Sequence, residues 1–553
     1  MNKSLKVLLS LLLSLVLLST CLIGCTKNNS SSEISQTTLA ATTNSAATSA
    51  AETENAELGG LKLPLVDKPL TLTYYLTNLY PTVMKSYNDM KVYQIQEQDT
   101  GIHIDFIHPA AGQEADQLNL LIASNELPDI IEINPLNYAG GPGKLLQDGT
   151  AVDLKEMIDQ YAPNIKKVFQ DYSGSKKLIS TDEGNIYCFP WLCFYDNQLV
   201  YMGHIIREDW LEKLALKMPE TIDDWYNVLK AFKEKDPNGN QKNDEIPYIS
   251  IKHDRILPFS YAWGITADFY DDNSVIKYGP MQPVFKEYLS IMRKWYSEGL
   301  IDPDFASTDS KQFDAKATGD IGGAFYGYAG GGIRKYMTSM AGTNPEYKLA
   351  GTSYPVLQSG QKPPVGHRIY SFNGNGAAVI SSKNKHQKET VQWFDYNYSP
   401  KGYMLYNYGI EGETYTMNNG TPSFVEKITG AANGFMEELT KVNRFVGSGP
   451  WVHAKEAQDQ YMSLPAQRVA IATWSNTEKS CFLPPITPTQ DESLRLTAIM
   501  SEINTYMAEM VNKFIMGQES VDSFDKYVES LKKMNIEEAI KIKQAAFDRY
   551  NKR

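Results

Sequence analysis

Leu70-Thr71-Leu72-Thr73-Tyr74-Tyr75-Leu76-Thr77 alternates apolar side chains with threonine, the two-residue period of a strand that turns one face to a core. Its continuation sets the fold class. Tyr87 to Gln98 has a helical pattern, and Ile102 to Ile107 is a second strand. Glu114 to Ser124 then carries Leu118, Leu121 and Ile122 on one helical face, ahead of Leu127-Pro128-Asp129-Ile130-Ile131. Strands that alternate with helices join by crossover connections, so an α/β fold with a mostly parallel sheet is expected.

Further along, Glu208 to Leu214 and Thr221 to Lys233 read as helices. The second opens on Thr221 with Asp224 three residues on, a variant capping box, and buries Trp225, Val228, Leu229 and Phe232. Directly after it, Asp236-Pro237-Asn238-Gly239-Asn240-Gln241-Lys242-Asn243-Asp244-Glu245 puts an oxygen-bearing side chain at alternate positions. A cation of calcium's size takes six to eight oxygen ligands, and a chain curling round it presents alternate side chains inward. Asp236, Asn238, Asn240 and Asp244 would give side-chain oxygens, Lys242 its carbonyl, and Glu245 a further carboxylate, for a structural calcium ion. The loop departs from the EF-hand pattern, with Gly239 one residue early and the closing acid at Glu245. The competing reading is a solvated turn between that helix and a strand over Ile246 to Ile251. The C-terminal third is helical, with Phe524, Tyr527, Val528, Leu531 and Met534 on one stripe and Glu537 to Tyr550 as a last helix.

At the other end, Lys3 and Lys6 precede the apolar run that begins at Val7, and Leu22-Ile23-Gly24-Cys25 closes it. This has the form of a bacterial lipoprotein signal over 1–24, with Cys25 lipidated; an uncleaved membrane helix is the alternative. From Thr26 to Gly60 there is almost no large apolar residue, so 25–60 reads as a disordered tether spanning roughly 30 Å. The chain carries 53 basic and 65 acidic residues, a net charge of −12. Nucleic acid is excluded as a partner at that balance, since phosphate binding needs clustered Lys and Arg. Beyond Cys21 and Cys25 only Cys188, Cys193 and Cys481 remain, an odd number that favours buried free thiols over a disulfide framework, with one bridge still open.

A series of short motifs in fixed order carries a family resemblance. They are the lipobox, Leu127-Pro128-Asp129-Ile130, Arg207-Glu208-Asp209-Trp210-Leu211, Thr221-Ile222-Asp223-Asp224-Trp225, Asp236 to Pro247, Tyr261-Ala262-Trp263-Gly264, Glu298-Gly299-Leu300-Ile301-Asp302-Pro303 and Tyr408-Gly409-Ile410-Glu411-Gly412. The chain resembles family 1 extracellular solute-binding lipoproteins of carbohydrate ABC transporters, in the long calcium-loop subgroup that includes alginate-oligosaccharide-binding proteins. The resemblance implies a two-lobed, type II periplasmic-binding-protein-like α/β fold with a hinge and a ligand cleft between lobes. It implies an N-terminal lobe of 61–195 with 315–372 and a C-terminal lobe of 196–314 with 373–553. Hinge crossings are expected near Phe194 to Tyr201, Thr308 to Gly319 and Ser371 to Ala377. The implied function is capture of an oligosaccharide and its delivery to ABC permease subunits, by a monomer held through its lipid anchor on the outer face of the cell membrane.

Sugars are held by flat apolar faces against pyranose C–H surfaces and by polar groups that replace water on hydroxyls. The 34 Tyr and 8 Trp residues supply such faces in quantity. Trp210, Trp225, Trp295 and Trp393 sit on apolar helix faces and are assigned to the core. The ligand candidates lie in Gly-rich, Pro-flanked or hinge contexts: Tyr138, Trp191, Tyr195, Trp263, Tyr326, Tyr328 and Trp451, with Arg334 and Arg368 for a sugar carboxylate. No catalytic residue is assigned. Gly-x-Ser-x-Gly, His-Glu-x-x-His, Cys-x-x-Cys and a Walker loop are all absent from the sequence. A polysaccharide-degrading enzyme or a ligand-presenting sensor remains the alternative.

Overall fold

The computed structural model describes residues 58–553 apart from 432–433 and 446–448. Cys25 and the signal segment lie outside the described residues. Two four-stranded sheets organise the chain. The first has Leu70–Tyr75 at its heart, parallel to Ile102–Ile107 on one side and to Ile130–Glu132 on the other. Ala378–Ile380 closes its edge, antiparallel to Ile130–Glu132. The connecting helices are Lys91–Thr100, preceded by a short turn over Tyr87–Asp89, and Glu114–Ser124. Asp129 ties this sheet together, its carboxylate accepting from both the Thr73 amide and the Thr73 hydroxyl at 2.9 Å.

The second sheet runs in the order Ile246–Tyr248, Gly322–Tyr328, Met202–Arg207, Leu349–Gly351. Only its first pair is parallel. All six residues of Met202–Arg207 are buried, as expected of a strand covered on both faces. On one side it meets Pro465–Ser475, a helix that approaches closely because the strand and its neighbour present glycine: a Cβ on Gly203 would lie 2.2 Å from the Trp474 ring, and one on Gly351 would lie 2.4 Å from Ala470 Cβ.

This pairing corrects the segment grouping expected above. Gly322–Tyr328 and Leu349–Gly351 join the second sheet, not the first, so 315–372 does not belong with 61–195. Ala378–Ile380 joins the first sheet, so the chain after 373 does not all belong with 196–314. The helix Ser310–Thr318 is a crossover inside the second sheet, between its parallel strands Ile246–Tyr248 and Gly322–Tyr328, and 308–319 is no hinge. The chain changes sheets near 193–201 and 371–377, and again after Val452, which bridges Leu192, before the helix Pro465–Ser475.

Residues 58–60, expected in the tether, are folded against the body of the protein, and the rest of 25–60 lies outside the described residues. Leu58 and Leu61 are buried, and Asn164 Nδ2 donates to the Leu58 carbonyl at 3.1 Å. Trp210, Trp225, Trp295 and Trp393 are all buried in the core. Cys188, Cys193 and Cys481 are buried free thiols. Among the described residues no helix is long and apolar enough to cross a membrane.

Candidate functional site

A cavity of about 890 Å³ opens where the two sheets face each other. From the first sheet it takes the turn after Ile130–Glu132, where the Asn134 side chain accepts from the Leu136 amide at 3.0 Å and presents Tyr138. From the second it takes Tyr201, just ahead of Met202–Arg207, then Tyr261 and Phe269; Tyr370 and Phe482 complete the aromatic lining. Polar atoms come from Asn137, Asn373, Asn375, Thr266, Asp268 and Lys543. Residues just past strand ends make the natural crevice of an α/β sheet, because side chains there converge without having to fill a core. Burial pushes the phenol groups of Tyr201 and Tyr370 up to about 12, so both stay protonated donors at neutral pH.

Tyr201 also lines a second cavity of about 350 Å³ with Trp191, Tyr328, His453 and Tyr461. Its ring stacks on Tyr328 at 6.0 Å and 13°, and His367 meets it edge-on at 4.5 Å. The Arg255 guanidinium lies 5.2 Å over the Tyr328 ring, and its Nη2 donates to the Tyr328 hydroxyl at 3.4 Å.

The sequence candidates divide between these places and the core. Tyr138 faces the first cavity, its hydroxyl bonded to Thr150 Oγ1 at 3.1 Å. Trp191 and Tyr328 face the second. Arg334 donates to the Tyr461 carbonyl at 3.1 Å and covers the ring of that residue. Tyr195 is exposed at the start of the helix Asp196–Leu199, lining neither cavity, and Arg368 is tied to Asp196 at 2.6 Å. Trp263 lines a separate groove and donates to Glu287 at 3.1 Å.

Tyr326 and Trp451 are corrections. Tyr326, a ligand candidate from its Gly-rich context, lies within the Gly322–Tyr328 strand and is buried edge-on to His204 at 5.2 Å. Trp451 is fully buried and stacks on Tyr406 at 4.9 Å. Tyr201, Tyr261, Phe269, Tyr370, Phe482 and Lys543 were not singled out from sequence. The one local signal was the proline pair Pro484-Pro485 after Phe482-Leu483, a rigid loop that holds an aromatic at a rim.

The Asp236–Glu245 loop leaves the helix Ile222–Glu234, whose Thr221 and Asp224 form the expected capping box. It coils through positive φ at Asp236, Gly239 and Gln241. The amides of Asn240 and Gln241 donate to the two Asp236 carboxylate oxygens at 3.0 Å, and the Lys242 amide to Asn240 Oδ1 at 2.7 Å. The Nδ2 groups of Asn238 and Asn240 point at Asp244, so a cation there requires both amides to flip and bring oxygen inward. Glu245 is buried, and neither of its carboxylate oxygens accepts a hydrogen bond from a neighbour. Burial, with Asp236 and Asp244 nearby, pushes its carboxyl above the usual range. An orphaned buried carboxylate beside two others is a donor set that fits a hard divalent cation. Among the described residues, however, no three His, Cys, Asp or Glu residues group as a metal-binding set, so the asparagines and the Lys242 carbonyl would have to complete the shell.

The family model for bacterial extracellular solute-binding proteins matches residues 80–404. The chain belongs to that family. It is 27% identical over 534 residues to the fructooligosaccharide ABC transporter substrate-binding protein FusA of Streptococcus pneumoniae serotype 4, covering 89% of this chain and 93% of that one. It is 26% identical to lipoprotein LipO of Bacillus subtilis, over 80% of this chain and 86% of LipO. Among solved structures, the alginate-binding protein AlgQ2 without calcium ion superposes with a TM-score of 0.73 at 27% identity, over 88% of this chain and all of that one. The two-sheet arrangement is therefore the two-lobed fold of solute-binding proteins, and the larger cavity is its interlobe cleft.

Proposed function

We propose that this protein captures an oligosaccharide in the interlobe cleft and releases it intact to the permease of an ABC importer. The observation that carries the reading is the ring of Tyr138, Tyr201, Tyr261, Phe269 and Tyr370, interleaved with asparagines, at the junction of two lobes. Such a lining offers stacking faces for pyranose rings and amides that match sugar hydroxyls. The ABC transporter named for FusA and the sugars named for FusA and AlgQ2 support the same reading. Ligand bridging both lobes stabilises the closed form, because only that form makes both sets of contacts. The passages near 193–201 and 371–377 and the one after Val452 act as the hinge.

In this reading Cys25 carries the lipid that holds the chain to the outer face of the membrane, in line with its likeness to LipO. Asp236, Asn238, Asn240, Asp244 and Glu245 hold a structural calcium ion with the Lys242 carbonyl. The calcium ion named for AlgQ2 supports this. The test is thermal denaturation against a panel of oligosaccharides, with chromatography of the sugar afterwards. A bound oligosaccharide at a hundredfold excess over Kd adds about 2.7 kcal/mol of stability and is recovered unshortened. Shortened fragments would make the protein an enzyme and end the proposal.

A further inference from the structure

Among the described residues, Lys543 is the one lysine lining the interlobe cleft. It sits on the C-terminal helix Ile536–Lys552, and its neighbour Gln544 fixes that helix to the hairpin over 269–278: Gln544 Oε1 accepts from the Ile276 amide at 2.7 Å and Nε2 donates to the Ser274 carbonyl at 3.1 Å. The same hairpin supplies Phe269, whose ring lies 5.5 Å from the Lys543 ammonium. Lys543 thus lines the cavity beside an aromatic ring that belongs to the same wall.

Two other cations of this lobe are engaged in ion pairs. Arg368 holds Asp196 at 2.6 Å, and Lys277 holds Asp272 at 2.6 Å. Lys543 has no carboxylate within ion-pair distance among the described residues; Asp268 alone acts on it, from further off. Asp268 lines the same cavity, its Oδ1 accepting from the Phe269 amide at 2.7 Å, and it reaches Lys543 only from beyond ion-pair distance. Burial pulls the Lys543 ammonium below the usual lysine range, with Asp268 acting the other way. A hydroxyl group offers such a charge a dipole; a carboxylate offers it a full opposite charge, and the low-dielectric wall strengthens that attraction. The chain as a whole is acidic, so long-range steering does not favour an anion and the preference has to be made inside the cleft.

We infer that Lys543 is a specificity-determining residue that pairs with the carboxylate of an acidic sugar, so that the cleft selects uronic over neutral oligosaccharides. The inference rests on the reading of the cleft as an oligosaccharide site. Calorimetric titration of the full folded chain tests it with tetramers of galacturonate, mannuronate and guluronate, each beside its methyl ester, which keeps the shape and removes the charge. At least one uronate should bind more than about tenfold tighter than its ester. Lys543→Met should erase that preference, and Lys543→Arg should keep part of it. The inference is overturned if no uronate outbinds its ester, or if Lys543→Met leaves the preference intact. Should Lys543→Met not fold, Lys543→Gln and the uronate–ester comparison in the unaltered chain decide. Neutral oligosaccharides binding while every uronate fails would sink this inference alone; no carbohydrate binding at all would sink the cleft reading with it.

Discussion

Glu245 shows how one side chain can report on a whole loop. Its buried carboxylate has no donor, and its folded-state pKa is raised, mainly by burial. A group that binds its proton more tightly when folded costs stability as pH rises through the interval between its unfolded and folded pKa values. Without metal, that cost is absent in acid and fully present at neutral pH. Glu245→Gln should therefore raise the melting temperature of chelator-treated protein at pH 7, with little effect at pH 4, and should shrink the stabilisation given by added calcium. Scanning calorimetry at the two pH values, with and without calcium, checks both halves; a loop that is only a turn would show no calcium response in either protein. The alternation of oxygen donors was legible in the sequence. The direction of the Asn238 and Asn240 amides was not, because composition fixes which atoms are present and not which way a planar amide faces. Which aromatics a strand buries was illegible for a related reason. Tyr326 and Tyr328 lie in the same strand, yet Tyr326 faces a core and Tyr328 reaches the surface at the strand's last residue.

Among elements, the close approach of Pro465–Ser475 to the second sheet depends on two positions without side chains. Gly203→Ala would press a methyl group into the Trp474 ring, whose Nε1 donates to the Thr352 carbonyl at 3.1 Å. It should cost about 1–3 kcal/mol, read as a lower urea midpoint with unchanged slope. Gly342→Ala, where a Cβ would meet nothing within 4 Å, should leave the midpoint within about 0.5 kcal/mol of the parent. Local pattern was enough to find the Ile102–Ile107 strand and the Glu114–Ser124 helix to the residue. It was enough for the helix after Thr221 as well, since capping and amphipathic spacing are written within a few residues of each other. Sheet membership is written nowhere locally. Gly322–Tyr328 pairs with Met202–Arg207 across more than a hundred residues, and nothing in either segment names the other.

At the scale of the molecule, two lobes joined by three strands of chain predict a measurable change of shape. Small-angle scattering should give a smaller radius of gyration with a bound oligosaccharide than without, and a Tyr201→Ala chain, which loses the ring shared by both cavities, should show a weaker shift at the same sugar concentration. An identical scattering curve with saturating ligand would make the protein one rigid body. The entry of the described chain has a mechanical corollary. Asn164, which grips the Leu58 carbonyl, is itself bound through its side chain and amide to Asp395, in the helix that packs behind the first sheet. A pull applied at Leu58 would thus be taken up by one jaw of the clamp and leave the other free to swing.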